Sequence, residues 1–321
     1  ILDVPTDVQG KLKVSWKHLT TADYQTSIFF MAPMECQKLA DAHPKLFDKT
    51  KKKIGYFLWE LPDFPEHFIP ALQLVDQIWC PTKFVQETFF NKSKQLVLTL
   101  PLPVVQQPPS GKNFRLENSI PSDAFVVLFM FDLHSTMKRK NPEAILRVFS
   151  EFTQKYPDSY LLLKVNRWQN MGPDALSWIP SHPRIKFIKE SLEPSQLTDL
   201  YRSSNCYLSL HRSEGFGRTL VEALQNGLHV VCTDYSGPKD FLTNKNSFLV
   251  DWNLIDVQPQ DYPYLKQKSA WADPNELSAL SQLTKVYRQR ESNGINTQGI
   301  KDGDNFKFEH LAQKYKSILH T

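Results

Sequence analysis

The chain has 321 residues, 41% hydrophobic and 12% aromatic, enough to bury a large core and, at ordinary domain sizes, to form two domains. Its 38 basic and 34 acidic residues leave a net charge of +4, too mild a surplus to indicate a nucleic-acid partner. The longest strongly apolar run, Ala124 to Phe131, is far too short to span a bilayer, and no basic-then-apolar leader opens the sequence, so no transmembrane helix or signal peptide is expected.

In chain order, strand-like runs near 27–31, 54–58, 77–80 and 95–99 alternate with helical stretches near 65–74 and 83–90, the pattern of a parallel sheet covered by helices. Lys49-Thr50-Lys51-Lys52-Lys53 is a local basic run that reads as a solvated face, with contact to anionic lipid or an acidic acceptor as the less favoured alternative. Trp59 and Glu60 follow the strand at 54–58. An aromatic beside a carboxylate suits a sugar in a cleft between domains; a core tryptophan and a helix-starting glutamate before Pro62 are the plain alternative. Pro101-Leu102-Pro103 and the polar stretch 106–111 read as a linker. Cys36, Cys80, Cys206 and Cys232 show no CxxC pairing and are expected to be buried reduced thiols of a cytosolic protein.

The second half repeats the alternation more clearly, with strands near 125–131, 160–165, 185–188, 206–210, 229–233 and 247–250 and helices near 142–156, 194–203 and 217–226. It reads as one complete doubly wound α/β domain. Within it, Ser209-Leu-His-Arg-Ser-Glu-Gly-Phe-Gly-Arg-Thr-Leu-Val-Glu222 joins a buried strand to a helix that Gly227 closes. Its turn should aim free N–H groups at the carboxyl edge of the sheet, where phosphate is attracted, and Gly215 and Gly217 remove side chains that would keep a diphosphate off the backbone. Glu222, among apolar helix neighbours, suits paired ribose hydroxyls, and Glu214 suits hydroxyls of a transferred sugar; a solvated helix glutamate is the bland alternative. Lys138-Arg139-Lys140 precedes a helix at the same edge and is read as diphosphate-stabilising, Lys140 first, against mere loop solvation. Arg218 is near the helix start but could as easily meet solvent. His211 lines the pocket or serves as a hydrogen-bonded structural residue. Neither His211 nor His134 has ligand-spaced partners and no suitable Asp-x-Asp appears, so no metal and no cofactor is expected. Gly294 to Asp304 is polar, and Phe306 to Leu319 returns to helical periodicity.

Glu214, Glu222, the surrounding SLHRSEGFGRTLVEAL and the following GLHVVCTDYSGPKDFL together resemble the donor-site signature of the retaining glycosyltransferases of family 4, whose GT-B fold has two Rossmann-like domains. Residues 131–149 resemble the segment that supplies basic residues to the donor diphosphate; 56–90 resemble the end of the first domain in bacterial polysaccharide enzymes of this family; Trp271 to Pro274 resemble their late loop and helix start. The resemblance implies a metal-independent hexosyltransferase using a UDP- or GDP-sugar and a glycan or lipid-linked glycan acceptor, cytoplasmic or peripheral at the inner membrane face. It implies donor binding by Arg139, His211, Gly215, Phe216, Gly217, Arg218, Thr219 and Glu222, a base-binding position at Lys189 and Glu190, and catalysis by Glu214 and Lys140 without a protein nucleophile. It further implies an acceptor-side domain over 1–105, joined by a last helix over 305–321, and a donor domain over 106–304. Family members usually begin with a strand and a glycine-rich loop that contribute to the acceptor side, and no glycine-rich loop appears before Gly55, so the first domain is naturally reduced or the chain lacks an N-terminal portion. A nucleotide-sugar 2-epimerase, and a non-catalytic nucleotide-sugar-binding module or half of a larger polymerase, are the competing expectations.

Overall fold

A four-stranded and a six-stranded parallel sheet organise the computed structural model, which describes residues 25–44, 47, 52–133, 135–168, 177–179, 181–262, 264–290 and 294–319. The first sheet contains β1 (Thr26–Phe30), β2 (Lys52–Tyr56), β3 (Gln77–Cys80) and β4 (Leu96–Thr99) in that spatial order. Its connections carry α1 (Pro33–Ala42), a 3-10 turn at Glu66–Phe68 running into the single-turn α2 (Ile69–Leu72), and α3 (Lys83–Phe90). Thr82 caps α3 by accepting from the Val85 N–H. Phe29, Phe57, Phe64, Val85 and Phe89 form the core beneath these helices.

The second half runs α4 (Phe114–Glu117), β5 (Phe125–Asp132), α5 (Met137–Lys140), α6 (Pro142–Lys155), β6 (Ser159–Asn166), β7 (Ile185–Ile188), α7 (Pro194–Arg202), β8 (Cys206–Ser209), α8 (Arg218–Gln225), β9 (His229–Thr233) and β10 (Phe248–Val250). Its sheet order is β10-β9-β8-β5-β6-β7. The uninterrupted apolar run of β5 is explained by burial on both faces: Val126, Leu128 and Met130 enter one core, while Phe125, Val127, Phe129 and Phe131 enter the other. After β10 come the antiparallel pair β11 (Trp252–Asp256) and β12 (Ala270–Pro274), then α9 (Glu276–Gln289), α10 (Thr297–Asp304) and α11 (Phe308–Leu319). α11 lies against the first sheet, where Tyr315 and Ile318 pack on Ile54, Tyr56, Trp79 and Leu100 and the Tyr315 hydroxyl donates to the Pro101 carbonyl at 2.9 Å.

The strands fall within about two residues of their expected places, and all four cysteines are buried and unpaired. Three segments differ. Trp271 to Pro274 is a strand rather than a loop, because its partner is residues 252–256 across a long connection that local pattern does not reveal. The polar stretch before residue 304 contains α10, capped by Asn296, whose side chain accepts from Gly299 N–H and donates to the Leu228 and Asn246 carbonyls. α1 had no expectation. The stretch 106–111 ends in a tight anchor: the Asp199 carboxylate of α7 accepts from the N–H groups of Ser110, Gly111 and Lys112. His134 and most of the lysine run, residues 49–51, lie outside the described residues.

Candidate nucleotide-sugar site

The segment between β8 and α8 begins at the carboxyl end of the sheet, and its geometry is set by Asn141. This residue adopts a left-handed conformation, φ 53°, between α5 and α6, and its side-chain amide donates to the Leu210 carbonyl at 3.0 Å. The break ends α5 at Lys140, and the Arg139 carbonyl accepts from Arg212 N–H at 2.8 Å, so Arg139 and Lys140 are held beside the turn. Arg139 is only 6% exposed. Its guanidinium donates to the Ser213 carbonyl (2.9 Å) and Ser135 Oγ (3.0 Å) and pairs with Glu214 (3.2 Å) and Glu60 (3.6 Å). Lys140 pairs with the other Glu214 oxygen.

Glu214 is therefore a buried carboxylate between two cations. Burial by itself raises its pKa, but Lys140 and then Arg139 reverse this and hold it well below the usual carboxylate range. Its backbone N–H donates to Ser236 Oγ at 2.8 Å, and Ser236 has φ 63° and ψ −149°, a conformation expensive for a residue with a side chain. Glu222, on α8, stands in a different environment: its oxygens accept from the Tyr201 hydroxyl at 2.7 Å and pair with Arg218 Nε at 3.0 Å. Here burial prevails over Arg218 and Tyr201, and the pKa rises. Among the described residues, the N–H groups of Phe216, Gly217, Arg218 and Thr219 have no hydrogen-bond acceptor, so the start of α8 retains its donors.

The glycines serve the fold. A Cβ on Gly215 would lie 2.4 Å from the Trp59 carbonyl oxygen, so this glycine permits the first half to approach the loop. Gly217 has φ 87°, and a Cβ there would meet Leu220 at 2.8 Å. These contacts are reasons for glycine that stand beside the expected one, space for a diphosphate. Phe216 is buried against Phe241 and Phe306 in the core and does not face the site. His211 is fully buried, with its ring nitrogens against Ser209 Oγ and the Tyr235 carbonyl, both at 3.2 Å, and burial lowers its pKa to about 4. Of its two expected positions, pocket lining is not the one it takes. Trp59 is likewise a core residue, 2% exposed, donating to the Asp63 carbonyl and packed on Phe64 and Tyr262. Of that pair's side chains, Glu60 alone reaches the site, through Arg139.

Thr219 is half-buried, and its carbonyl accepts from Tyr201; Arg218 projects toward solvent, its side chain 66% exposed. Lys189 and Glu190 follow β7, three strands from β8. The Lys189 ammonium lies over the Trp168 ring at 4.2 Å, and Glu190 pairs with Lys112 at 3.2 Å. Sequence reasoning missed the residues that close the loop against the first half: Ser213 Oγ donates to the Glu60 carbonyl, and Thr82 Oγ1 donates to the Gly215 carbonyl at 2.7 Å. Ordinary serines and threonines in turns carry no signal of such long-range partners. A separate polar cavity of about 510 Å³, lined by His229, Lys245, Phe248, Gln282, Lys285 and Asn296 among others, lies at the opposite edge, by the amino ends of β9 and β10. Among the described residues, no group of three or more His, Cys, Asp and Glu gathers as metal ligands do, and no helix is long and apolar enough to cross a membrane.

Residues 181–258, which contain the loop and both glutamates, match the family model of the glycosyl transferases group 1. An uncharacterized glycosyltransferase of Methanocaldococcus jannaschii is 22% identical over 251 residues, 71% of this chain and 58% of the relative. Among solved structures, sucrose-phosphate synthase from Thermosynechococcus elongatus superposes with a TM-score of 0.68 at 13% identity, covering 92% of this chain and 73% of that one. Anabaena HepE, in complex with UDP and glucose, gives a TM-score of 0.68 at 13% identity over 91% of this chain and 77% of that one. The pneumococcal O-GlcNAc transferase GtfA, in complex with UDP and GlcNAc, gives 0.62 at 14% identity over 88% of this chain and 54% of that one. The α/β fold with two Rossmann-like parallel sheets is that of GT-B glycosyltransferases. The chain spans little more than half the length of the archaeal relative and of GtfA.

Proposed function

We propose that the chain is a glycosyltransferase that moves a hexose from a nucleoside diphosphate sugar to a glycan or glycolipid acceptor, with retention of configuration and without a metal ion, in the cytoplasm or peripherally at the inner face of the membrane. The observation that carries this reading is the buried Arg139–Glu214–Lys140 cluster beside a helix start with free N–H donors. Departure of a nucleoside diphosphate concentrates negative charge on its terminal phosphate. Two fixed cations and a helix amino end in a water-poor site stabilise that charge without reorganising. The diphosphate competes with Glu214 for Lys140 and Arg139, and the carboxylate so released accepts hydroxyls of the sugar. Glu222, already accepting from Tyr201, has lone pairs left for the ribose hydroxyls. The acceptor attacks on the face that the phosphate leaves, and the phosphate receives its proton, so the reading assigns no protein base.

Calorimetric titration with UDP, GDP and their common sugar conjugates tests the pocket. Binding of one nucleotide series, lost in Glu222→Ala, is expected; no binding to any of them rejects the reading. Donor that binds but is never transferred supports a non-catalytic module instead. In an active assay, EDTA should leave the rate intact, and a large loss would sink metal independence.

A further inference from the structure

The β11–β12 pair belongs by connection to the second half, yet the loop between its strands enters the core of the first. Val257, Tyr262 and Leu265, with Trp271 of β12, join Trp59, Leu61 and Phe64 in one cluster. Tyr262 is 3% exposed, its ring edge-on to Trp59 at 5.6 Å. Its hydroxyl is not spent on packing: it donates to Glu60 Oε2 at 2.6 Å, while Glu60 Oε1 faces Arg139 at 3.6 Å. One carboxylate thus divides its oxygens between the hairpin and the buried arginine.

We infer that Tyr262 is a positioning residue that turns Glu60 toward Arg139 and so keeps the guanidinium in register with the diphosphate of a donor. The inference rests on the nucleotide-sugar reading above. Without donor, Glu214 is the closer counter-charge of Arg139 and shares it with Lys140. A diphosphate draws both cations from Glu214, and Glu60 then becomes the protein carboxylate that still orients Arg139. Glu60 is partly open to solvent, its side chain 31% exposed, so without the Tyr262 hydroxyl it is free to turn outward. A buried arginine that loses one of two flanking carboxylates shifts or binds its ligand in a poorer geometry.

The test is titration of UDP, GDP and their glucose and mannose conjugates into wild type, Tyr262→Phe, Glu60→Gln and the double variant. Because both residues act through one contact, each single change should weaken nucleotide binding about tenfold and the double change no more than that. Phe64→Leu, which loosens the same cluster without touching Glu60, should lower the thermal midpoint and leave affinity within about twofold. Wild-type affinity in Tyr262→Phe, or a double variant weakened by the product of the singles, about a hundredfold, overturns the inference alone. A wild-type chain that binds no nucleotide overturns the site reading and the inference with it, and so is distinguishable.

Discussion

The two halves are built from the same alternation of strand and helix but stand in different relation to the chemistry. The six-stranded half holds both glutamates, both central cations and the open helix start, and its sheet is buried on both faces. The four-stranded half has one well-filled face; on the other, a smaller cluster is covered by α11, while Ile28 and Phe30 of β1 remain 46% and 58% exposed. To the site it gives backbone carbonyls, from Trp59 and Glu60, and the side chains of Glu60 and Thr82. On the proposed reading, one half makes the binding chemistry while the other fixes how far the loop can move.

Breaking the chemical half should have the largest effect. Glu214→Ala leaves Arg139 buried without its nearer counter-charge, and we expect turnover to fall by about 10³-fold and stability by about 3 kcal/mol, read from donor transfer and urea unfolding. Unchanged turnover would remove Glu214 from the mechanism. Acid should next separate the halves, since the strongly shifted groups of the site lie in the second. His211 is held neutral, its pKa lowered from 6.5 to about 4, so its contribution is complete above pH 6.5 and is lost as pH falls toward 4. Glu214, also depressed, loses its contribution below pH 4.5, whereas Glu222, raised, acts in the opposite sense. The His211 step is worth on the order of 3 kcal/mol by one pKa unit per 1.36 kcal/mol, and His211→Asn should flatten the pH profile of the unfolding midpoint between pH 6.5 and 4.

The junction comes third. Gly215→Ala drives a methyl into the Trp59 carbonyl and should cost about 2 kcal/mol in urea unfolding, with a parallel loss of transfer. If it proves neutral, the halves approach less closely than this loop requires. Tyr315→Phe, which touches only the first half, should cost about 1 kcal/mol and leave nucleotide affinity unaltered; a weakened affinity would mean that the α11 contact reaches the site.

Much of the second half was legible because its strands are apolar runs bounded by turns, as in β5 and β9, and because Glu214 and Glu222 sit in a long distinctive segment. The approach of Arg139 and Lys140 to that segment was legible too, but not that Arg139 is the more deeply buried and makes contacts with both halves. Spacing alone does not tell which of two adjacent cations turns inward, since that depends on the left-handed turn at Asn141. Phe216, His211 and Trp59 pack inward, and for His211 and Trp59 the sequence left that alternative open. Residues beside a site in sequence alternate between facing it and supporting it, and these three support it. Tyr262 lay 202 residues from Glu60 along the chain, joined by nothing that local pattern registers.

The position of α11 has a consequence for biosynthesis. Residues 308–319 leave the ribosome after every other described element, yet they cover Tyr56 and Trp79 of the sheet made first, with Leu100 just beyond its last strand. During synthesis that apolar surface stays open while roughly two hundred residues of the second half emerge and fold, so the first half matures last although it is made first. A nascent chain stalled before residue 308 would present a folded second half and an uncovered first sheet. In that state the risk of misassociation lies in the half that contributes least to the chemistry.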